Sequence, residues 1–238
     1  MKVLKSALHC YLKFLVSIAM SFFVVVSCVF VMNMIASTET GYEVYEFNET
    51  TRKNEYLYDH SFDEGEDSLY PEYEEQGKIL TKTAIRVLSE KWERVAYAIS
   101  IFFSVGLSTA TLYSCAWNIG NKDSNAVRFQ RMEADRLRGI KIGGMVAIPS
   151  FILYLILCLC RFGVLKPNFL SIFRVLNSHL YGVIYLIYGK AALASQLAFW
   201  QMLLLFVTVL FPFAVTAIGY RLGYRDVSLF DKTVYKKK

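Results

Sequence analysis

The chain has 238 residues, of which 55% are hydrophobic, and a formal net charge of +6 at pH 7. Four apolar runs, at residues 14–36, 95–118, 142–160 and 194–219, contain no Asp, Glu, Lys, Arg or His. About 20 such residues cross the hydrocarbon of a bilayer as a helix, and no water-soluble fold of this length could bury all four runs. The sequence therefore excludes a water-soluble protein and predicts an all-α integral membrane protein with four transmembrane helices.

The N-terminal segment sets the expected orientation. Residues 1–13 hold Lys2, Lys5 and Lys13 and no acidic residue, and Lys and Arg tend to stay on the cytoplasmic side. We therefore expect residues 1–13 in the cytoplasm and the first transmembrane helix at 14–36. This run is longer than the roughly 7–15 apolar residues of a cleavable signal sequence, so it is interpreted as a retained anchor.

Residues 37–77 form an acidic, tyrosine-rich segment that this orientation places outside the cell. It contains glycines and a proline and few aliphatic residues that could build a core. Such a composition predicts a poorly structured extracytoplasmic loop. Partial alternation of apolar and polar residues over 38–47 predicts at most one short strand there.

Residues 78–118 are predicted to form an amphipathic helix that leads into the second transmembrane helix. Helical spacing is shared by Ile79, Leu80, Ala84, Val87, Leu88 and Trp92. Further along, small residues recur every four positions and form a helix-packing stripe, because small side chains let helix backbones approach closely in lipid. The stripe consists of Ala96, Ser100, Ser104 and Ser108. A polar pore lining is the alternative interpretation.

Residues 119–141 form a basic loop, expected in the cytoplasm, before the third transmembrane helix at 142–160. Basic residues near an anionic membrane surface contribute about 1 kcal/mol each to binding. We expect the loop to contact anionic lipid head groups of the inner leaflet or, alternatively, a soluble partner. The candidate residues are Arg128, Arg131, Arg136, Arg138 and Lys141.

Residues 161–193 leave two alternatives open. In the first they form an extracytoplasmic interfacial segment, anchored by tyrosines at the membrane surface. In the second, residues 169–188 form a fifth transmembrane helix, and Arg174 and His179 become an intramembrane polar pair. Ionisable side chains at membrane depth are costly, which favours the interfacial segment.

The fourth transmembrane helix is predicted at 194–219 and a basic cytoplasmic tail at 220–238. Pro212 lies inside this helix and removes a backbone donor, so we expect a kink there. The tail is a second candidate for binding anionic head groups.

No motif for chemistry is present in the sequence. It has no phosphate-binding loop, dinucleotide fingerprint, nucleophile elbow or paired metal-ligand spacing. The aromatic residues of the polar segments accompany acids rather than bases, which argues against nucleic-acid binding. We therefore predict a protein that is not an enzyme and uses no cofactor or metal.

Because the sequence contains no motif for catalysis or cofactor binding, we predict a structural or binding role. The expected protein is a multi-pass scaffold or accessory subunit of the bacterial cell membrane that binds a membrane-protein partner. The alternative is a component of a membrane transporter or channel.

Overall fold

The computed structural model of the chain describes residues 2–48, 53–61, 74–75, 78–188 and 193–227. This part of the chain is mostly helical. Its helices and strands, in chain order, are α1 (Lys2–Ala36), β1 (Ser37–Asn48), β2 (Lys53–Ser61), β3 (Glu74–Glu75), β4 (Lys78–Leu88), α2 (Glu90–Arg128), α3 (Arg138–Arg161), α4 (Leu170–Leu176), α5 (Tyr181–Tyr188), α6 (Phe199–Val209) and α7 (Phe211–Tyr224). Short 3-10 helices precede α5 and α6 at Ser178–Leu180 and Ala194–Gln196.

Four helical stretches are long and apolar enough to cross a membrane, by length and composition. They are Val3–Ala36, Glu90–Arg128, Arg138–Arg161 and Phe199–Tyr224. The first two extend well beyond the apolar runs: α1 has 35 residues and α2 has 39. About 20 residues suffice to cross the hydrocarbon, so both helices are longer than one span requires.

The fourth of these stretches is broken. Helix α6 ends at Val209 and α7 begins at Phe211, with Pro212 at the first turn of α7. Proline cannot donate to the carbonyl four residues before it, which explains the interruption that the sequence predicted.

The segment at 169–188 also departs from a straight span. Helix α4 and the stretch Ser178–Tyr188 are bent by 90° with respect to each other. By length and composition alone, this bent pair could form a broken span or a re-entrant loop.

Residues 37–88 contain an antiparallel sheet, which corrects two predictions. Its strand order is β2-β1-β4-β3. Strand β1 pairs with β2 from Gly41↔Ser61 to Asn48↔Lys53, and with β4 from Ser37↔Leu88 to Glu46↔Leu80. The prediction of a poorly structured loop is therefore wrong for 37–48 and 53–61, while residues 49–52, 62–73 and 76–77 lie outside the described part of the chain.

Cross-strand pairs explain why this polar segment folds without many aliphatic residues. The rings of Tyr45 and Tyr56 meet edge to face across β1 and β2, with centroids 5.9 Å apart. Between β1 and β4, Arg86 lies 2.9 Å from a carboxylate oxygen of Glu39. Such pairs each contribute roughly 0.2–1 kcal/mol. Val44, in the central strand β1, is fully buried.

The predicted amphipathic helix from residue 78 is also wrong at its start, because Lys78–Leu88 is strand β4 and the helix begins only at Glu90. The five positions that alternate along this stretch are all β-branched: Ile79, Thr81, Thr83, Ile85 and Val87. β-branched side chains are restricted in helices and favoured in strands. This period of two outweighs the helical spacing of the apolar residues.

The chain divides into two compact units, Met1–Val26 with Tyr97–Lys238, and Ser27–Ala96. The first unit has two clusters of buried apolar residues. One joins α3, α4, α5 and α6 around Leu157, Phe173 and Ile184. The other joins α1, α2, α3 and α7 around Phe14, Leu112 and Ile142.

Candidate functional site

A polar, largely buried cluster lies where the end of α2, the start of α3 and the end of α7 meet. These are the ends that border the 119–141 loop and the C-terminal tail. Asp123 comes from α2, Arg138 is the first residue of α3, and Tyr220 lies in the last turns of α7. The site is assembled from three helices that are distant in sequence.

Glycines bring these helices close enough for the cluster to form. A Cβ atom on Gly120 of α2 would lie 2.2 Å from the Tyr220 carbonyl oxygen. A Cβ on Gly223 of α7 would lie 2.0 Å from the Trp117 carbonyl oxygen, and one on Gly139 of α3 would lie 2.6 Å from the Tyr220 ring. At Gly120 and Gly223 only glycine permits the approach, because the obstructing atoms there belong to backbone.

The charges in the cluster balance one another. Arg138 Nε lies 2.9 Å from Asp123 Oδ2, with only 10% and 13% of the two side chains exposed. The Tyr220 hydroxyl donates to the same oxygen at 3.0 Å, and Arg138 also lies 2.9 Å from the Met132 sulfur. A buried charge needs an opposite charge and hydrogen bonds, and Asp123 receives both. The arrangement joins three helices.

A second acidic residue organises the start of α3. Asp135 accepts a hydrogen bond from Lys141 Nζ and one from the Leu137 backbone N–H, each at 2.9 Å. The hydrogen bond from Lys141, the one from Leu137 and the nearby charges hold the pKa of Asp135 below its usual range. The carboxylate therefore stays ionised at the beginning of α3, where negative charge is favourable.

The five basic residues predicted to face the inner leaflet have two different surroundings. Arg138 is buried in the cluster, and Lys141 pairs with Asp135. Arg128, Arg131 and Arg136 are exposed, and the Arg131 guanidinium lies 5.8 Å from the centre of the Phe129 ring. The loop itself is shorter than 119–141, since α2 continues to Arg128 and α3 begins at Arg138.

A cavity of about 540 Å³ lies beside the cluster, between the start of α3 and the end of α7. Arg136, Arg221 and Arg225 all line it. Sequence reasoning assigned Arg136 to the loop and the other two to the tail, and did not bring them together. Most of the predicted basic tail, residues 228–238, lies outside the described residues.

The four residues of the predicted packing stripe are all buried: Ala96, Ser100, Ser104 and Ser108. Ser21 of α1 faces two of them, with its hydroxyl 3.4 Å from the Ser108 hydroxyl and 3.5 Å from the Ser104 carbonyl oxygen. Ser100 donates to the Tyr97 carbonyl of its own helix at 2.8 Å. In this structure Ser104 and Ser108 lie at the contact between α1 and α2.

Arg174 and His179 have separate partners. The Arg174 guanidinium lies 4.5 Å from the ring centre of Tyr181, 5.9 Å from that of Tyr185 and 5.7 Å from that of Tyr188. These are cation–π distances.

The His179 ring is 1% exposed and packs between Phe14 and Phe211, at centroid distances of 4.8 and 5.5 Å. Its Nδ1 has no hydrogen-bond partner among the residues that the structure describes. The two predicted polar side chains thus belong to two different aromatic clusters.

Within the described ranges, no three His, Cys, Asp or Glu side chains are placed to hold a metal ion. No known protein family, curated protein or solved structure matches the chain.

One feature of the sequence indicates the close helix contact at this cluster. Gly219 and Gly223 are spaced by four at the end of the fourth apolar stretch, and this spacing is typical of close helix contacts in membranes. A Cβ on Gly219 would lie 3.0 Å from the Tyr113 carbonyl oxygen, so both glycines face α2. No comparable spacing rule links Asp123, Arg138 and Tyr220.

Proposed function

We propose that the chain is a non-enzymatic membrane subunit that binds a protein partner by adding a strand to its sheet. The observation that carries this proposal is the pairing pattern of the sheet. Among the described residues, β2 has a strand on one side only, and β3 pairs with β4 only at Lys78 and Ile79. An edge strand presents backbone donors and acceptors that another chain can pair with.

The composition of the edge supports a specific partner over self-association. Strand β2 begins with the exposed Lys53, and a lysine on an edge strand opposes pairing with an identical edge. A partner strand therefore needs an acidic residue that complements Lys53. Binding at this edge would therefore combine backbone hydrogen bonds with selectivity for charge.

The helices support a scaffold role. The apolar runs at 14–36, 95–118, 142–160 and 194–219 lack the ionisable residues that coupled transport usually requires at membrane depth. The small residues of the stripe are buried, with Ser21 of α1 facing two of them. In this proposal the helices anchor the chain in the membrane, and the sheet makes the specific contact.

Photo-crosslinking in native membranes tests the proposal. A benzophenone amino acid replaces Asn54, an exposed residue of β2, and in a matched control it replaces Phe102, which is 75% exposed on the apolar part of α2. We expect a protein adduct of one discrete mass from position 54 and none from position 102. Absence of an adduct at position 54, or the same adduct at both positions, contradicts the proposal.

A transporter or channel component is the second candidate, and the bent segment favours it. Helix α4 and Ser178–Tyr188 meet at 90°, and the buried His179 lies next to the bend. Non-helical backbone at membrane depth is tolerated where it is buried in protein or lines a cavity. Uptake or efflux that depends on His179 in reconstituted vesicles, and is lost in His179→Ala, would favour this candidate.

A further inference from the structure

We propose that the cavity between the start of α3 and the end of α7 binds an anionic glycerophospholipid. The phosphate would lie among Arg136, Arg221 and Arg225, and an acyl chain would follow the apolar wall that leads away from them. This inference does not depend on the protein partner proposed above. It requires only that the helices lie in a bilayer.

The charged residues that line the cavity favour an anionic ligand. Three arginines line a volume of about 540 Å³, which is within the usual range for a ligand site. In the described part of the chain, no carboxylate forms an ion pair with any of the three. The one carboxylate that lines the cavity, Asp135, is paired with Lys141 at 2.9 Å. The cavity is therefore strongly positive, and guanidinium groups match phosphate oxygens in geometry.

An apolar wall beside the arginines favours a lipid over a free anion as the ligand. Ile140 of α3 and Ile218 of α7 line the same cavity and are 51% and 56% exposed. Along α3 the exposed apolar surface continues through Ile148 and Ile152, and a Cβ on Gly144 would meet no atom within 4 Å. An inorganic phosphate would leave this apolar wall exposed, whereas an acyl chain would cover it.

The position of the arginines agrees with the arrangement of a lipid molecule. They come from the loop before α3 and from the last turn and end of α7, while the isoleucines lie one turn further into the same helices. Basic residues at helix ends followed by apolar residues match a head group followed by its chains. Tyr224 also lines the cavity, and tyrosine is favoured at this level of a membrane.

Binding to the purified full-length chain in mild detergent tests the proposal. Native mass spectrometry measures the affinity for phosphatidylglycerol and for phosphatidylcholine with the same acyl chains, and for phosphatidylglycerol in the presence of inorganic phosphate. The test variant is Arg136→Gln with Arg221→Gln and Arg225→Gln. The control variant, Lys91→Gln with Arg94→Gln and Lys166→Gln, removes the same charge from exposed positions outside the cavity.

We expect the test variant to bind phosphatidylglycerol about 100-fold more weakly, since each basic residue near an anionic surface contributes roughly a factor of five. The control variant should change the affinity by less than about 3-fold. Equal losses in both variants, equal binding of phosphatidylcholine, or full competition by inorganic phosphate at millimolar concentration would overturn the proposal. The single change Arg225→Gln, at an exposed residue after α7, keeps the test decisive if the triple variant unfolds. It should weaken binding several-fold.

Discussion

At the scale of single residues, the largely buried ion pair of Asp123 and Arg138 joins the end of α2 to the start of α3. Breaking a buried pair by removing one partner leaves an uncompensated charge, which typically costs about 3–5 kcal/mol. We expect Asp123→Asn to lower the free energy of unfolding by that amount. Tyr220→Phe should cost about 1.5–3 kcal/mol, because it removes only a hydrogen bond to a charged group. Denaturant unfolding of the purified protein in detergent measures both values.

A double replacement provides the control for this prediction. Asp123→Leu combined with Arg138→Leu removes both charges and should recover most of the stability that Asp123→Asn loses, since apolar pairs often replace buried ion pairs at little cost. If the double variant is as unstable as Asp123→Asn, the uncompensated charge is not the cause.

Gly223 supports a second prediction at this scale. A Cβ atom there would lie 2.0 Å from a backbone oxygen of α2, and backbone cannot move aside as a side chain can. Gly223→Ala should therefore destabilise the protein by about 1–3 kcal/mol, the usual cost of overpacking. Gly144→Ala is the matched control, because nothing lies within 4 Å of its Cβ. A midpoint of thermal unfolding that falls equally in both variants would contradict the contact between α2 and α7.

At the scale of elements, the sulfur atoms of Cys10 and Cys115 lie 3.0 Å apart between α1 and α2. Both thiols are free and buried. We expect copper-phenanthroline to link them, so that N- and C-terminal fragments cut in the 37–88 region stay together without reductant. Cys10→Ser should abolish the link and Cys28→Ser should not. Separation of the fragments in the unmodified protein would contradict the packing of α1 on α2.

The sequence predicted the helices better than the sheet, for a physical reason. In water-free surroundings, a run of twenty apolar residues satisfies its backbone hydrogen bonds within itself only as a helix. The runs at 14–36 and 142–160 accordingly lie inside α1 and α3. A polar segment can adopt several conformations. Over Lys78–Leu88 the apolar residues have helical spacing while the β-branched residues alternate, and the pairing with β1 decides between them. That pairing joins residues about 40 positions apart, such as Tyr42 and Ala84, which a local pattern does not reveal.

The candidate site was predictable only in part. The basic character of Arg136 and of the region after Arg221 was visible in composition. Their convergence on one cavity depends on how α3 and α7 pack, and the burial of Arg138 depends on an acid in α2. Both are tertiary facts, and neither has a short-range signature.

At the scale of the whole molecule, length and composition allow four transmembrane helices, or five if the segment 169–188 is one span. The 90° bend within 169–188 and the cost of Arg174 at membrane depth lead us to expect that both ends of this segment emerge on one side. Cysteines introduced at the exposed Lys166 and Ser195, in a background without other cysteines, should react with an impermeant maleimide from the same face. Labelling from opposite faces would mean a fifth span and would strengthen the transport candidate.

The near contact of backbones at Gly120 and Gly223 restricts how this protein can diverge during evolution. Most lipid-facing positions can exchange one apolar side chain for another, so the overall sequence identity between distant homologues would fall quickly. At these two positions any side chain would push α2 and α7 apart. A pair of invariant glycines at these positions would identify distant homologues whose remaining sequence had diverged beyond recognition.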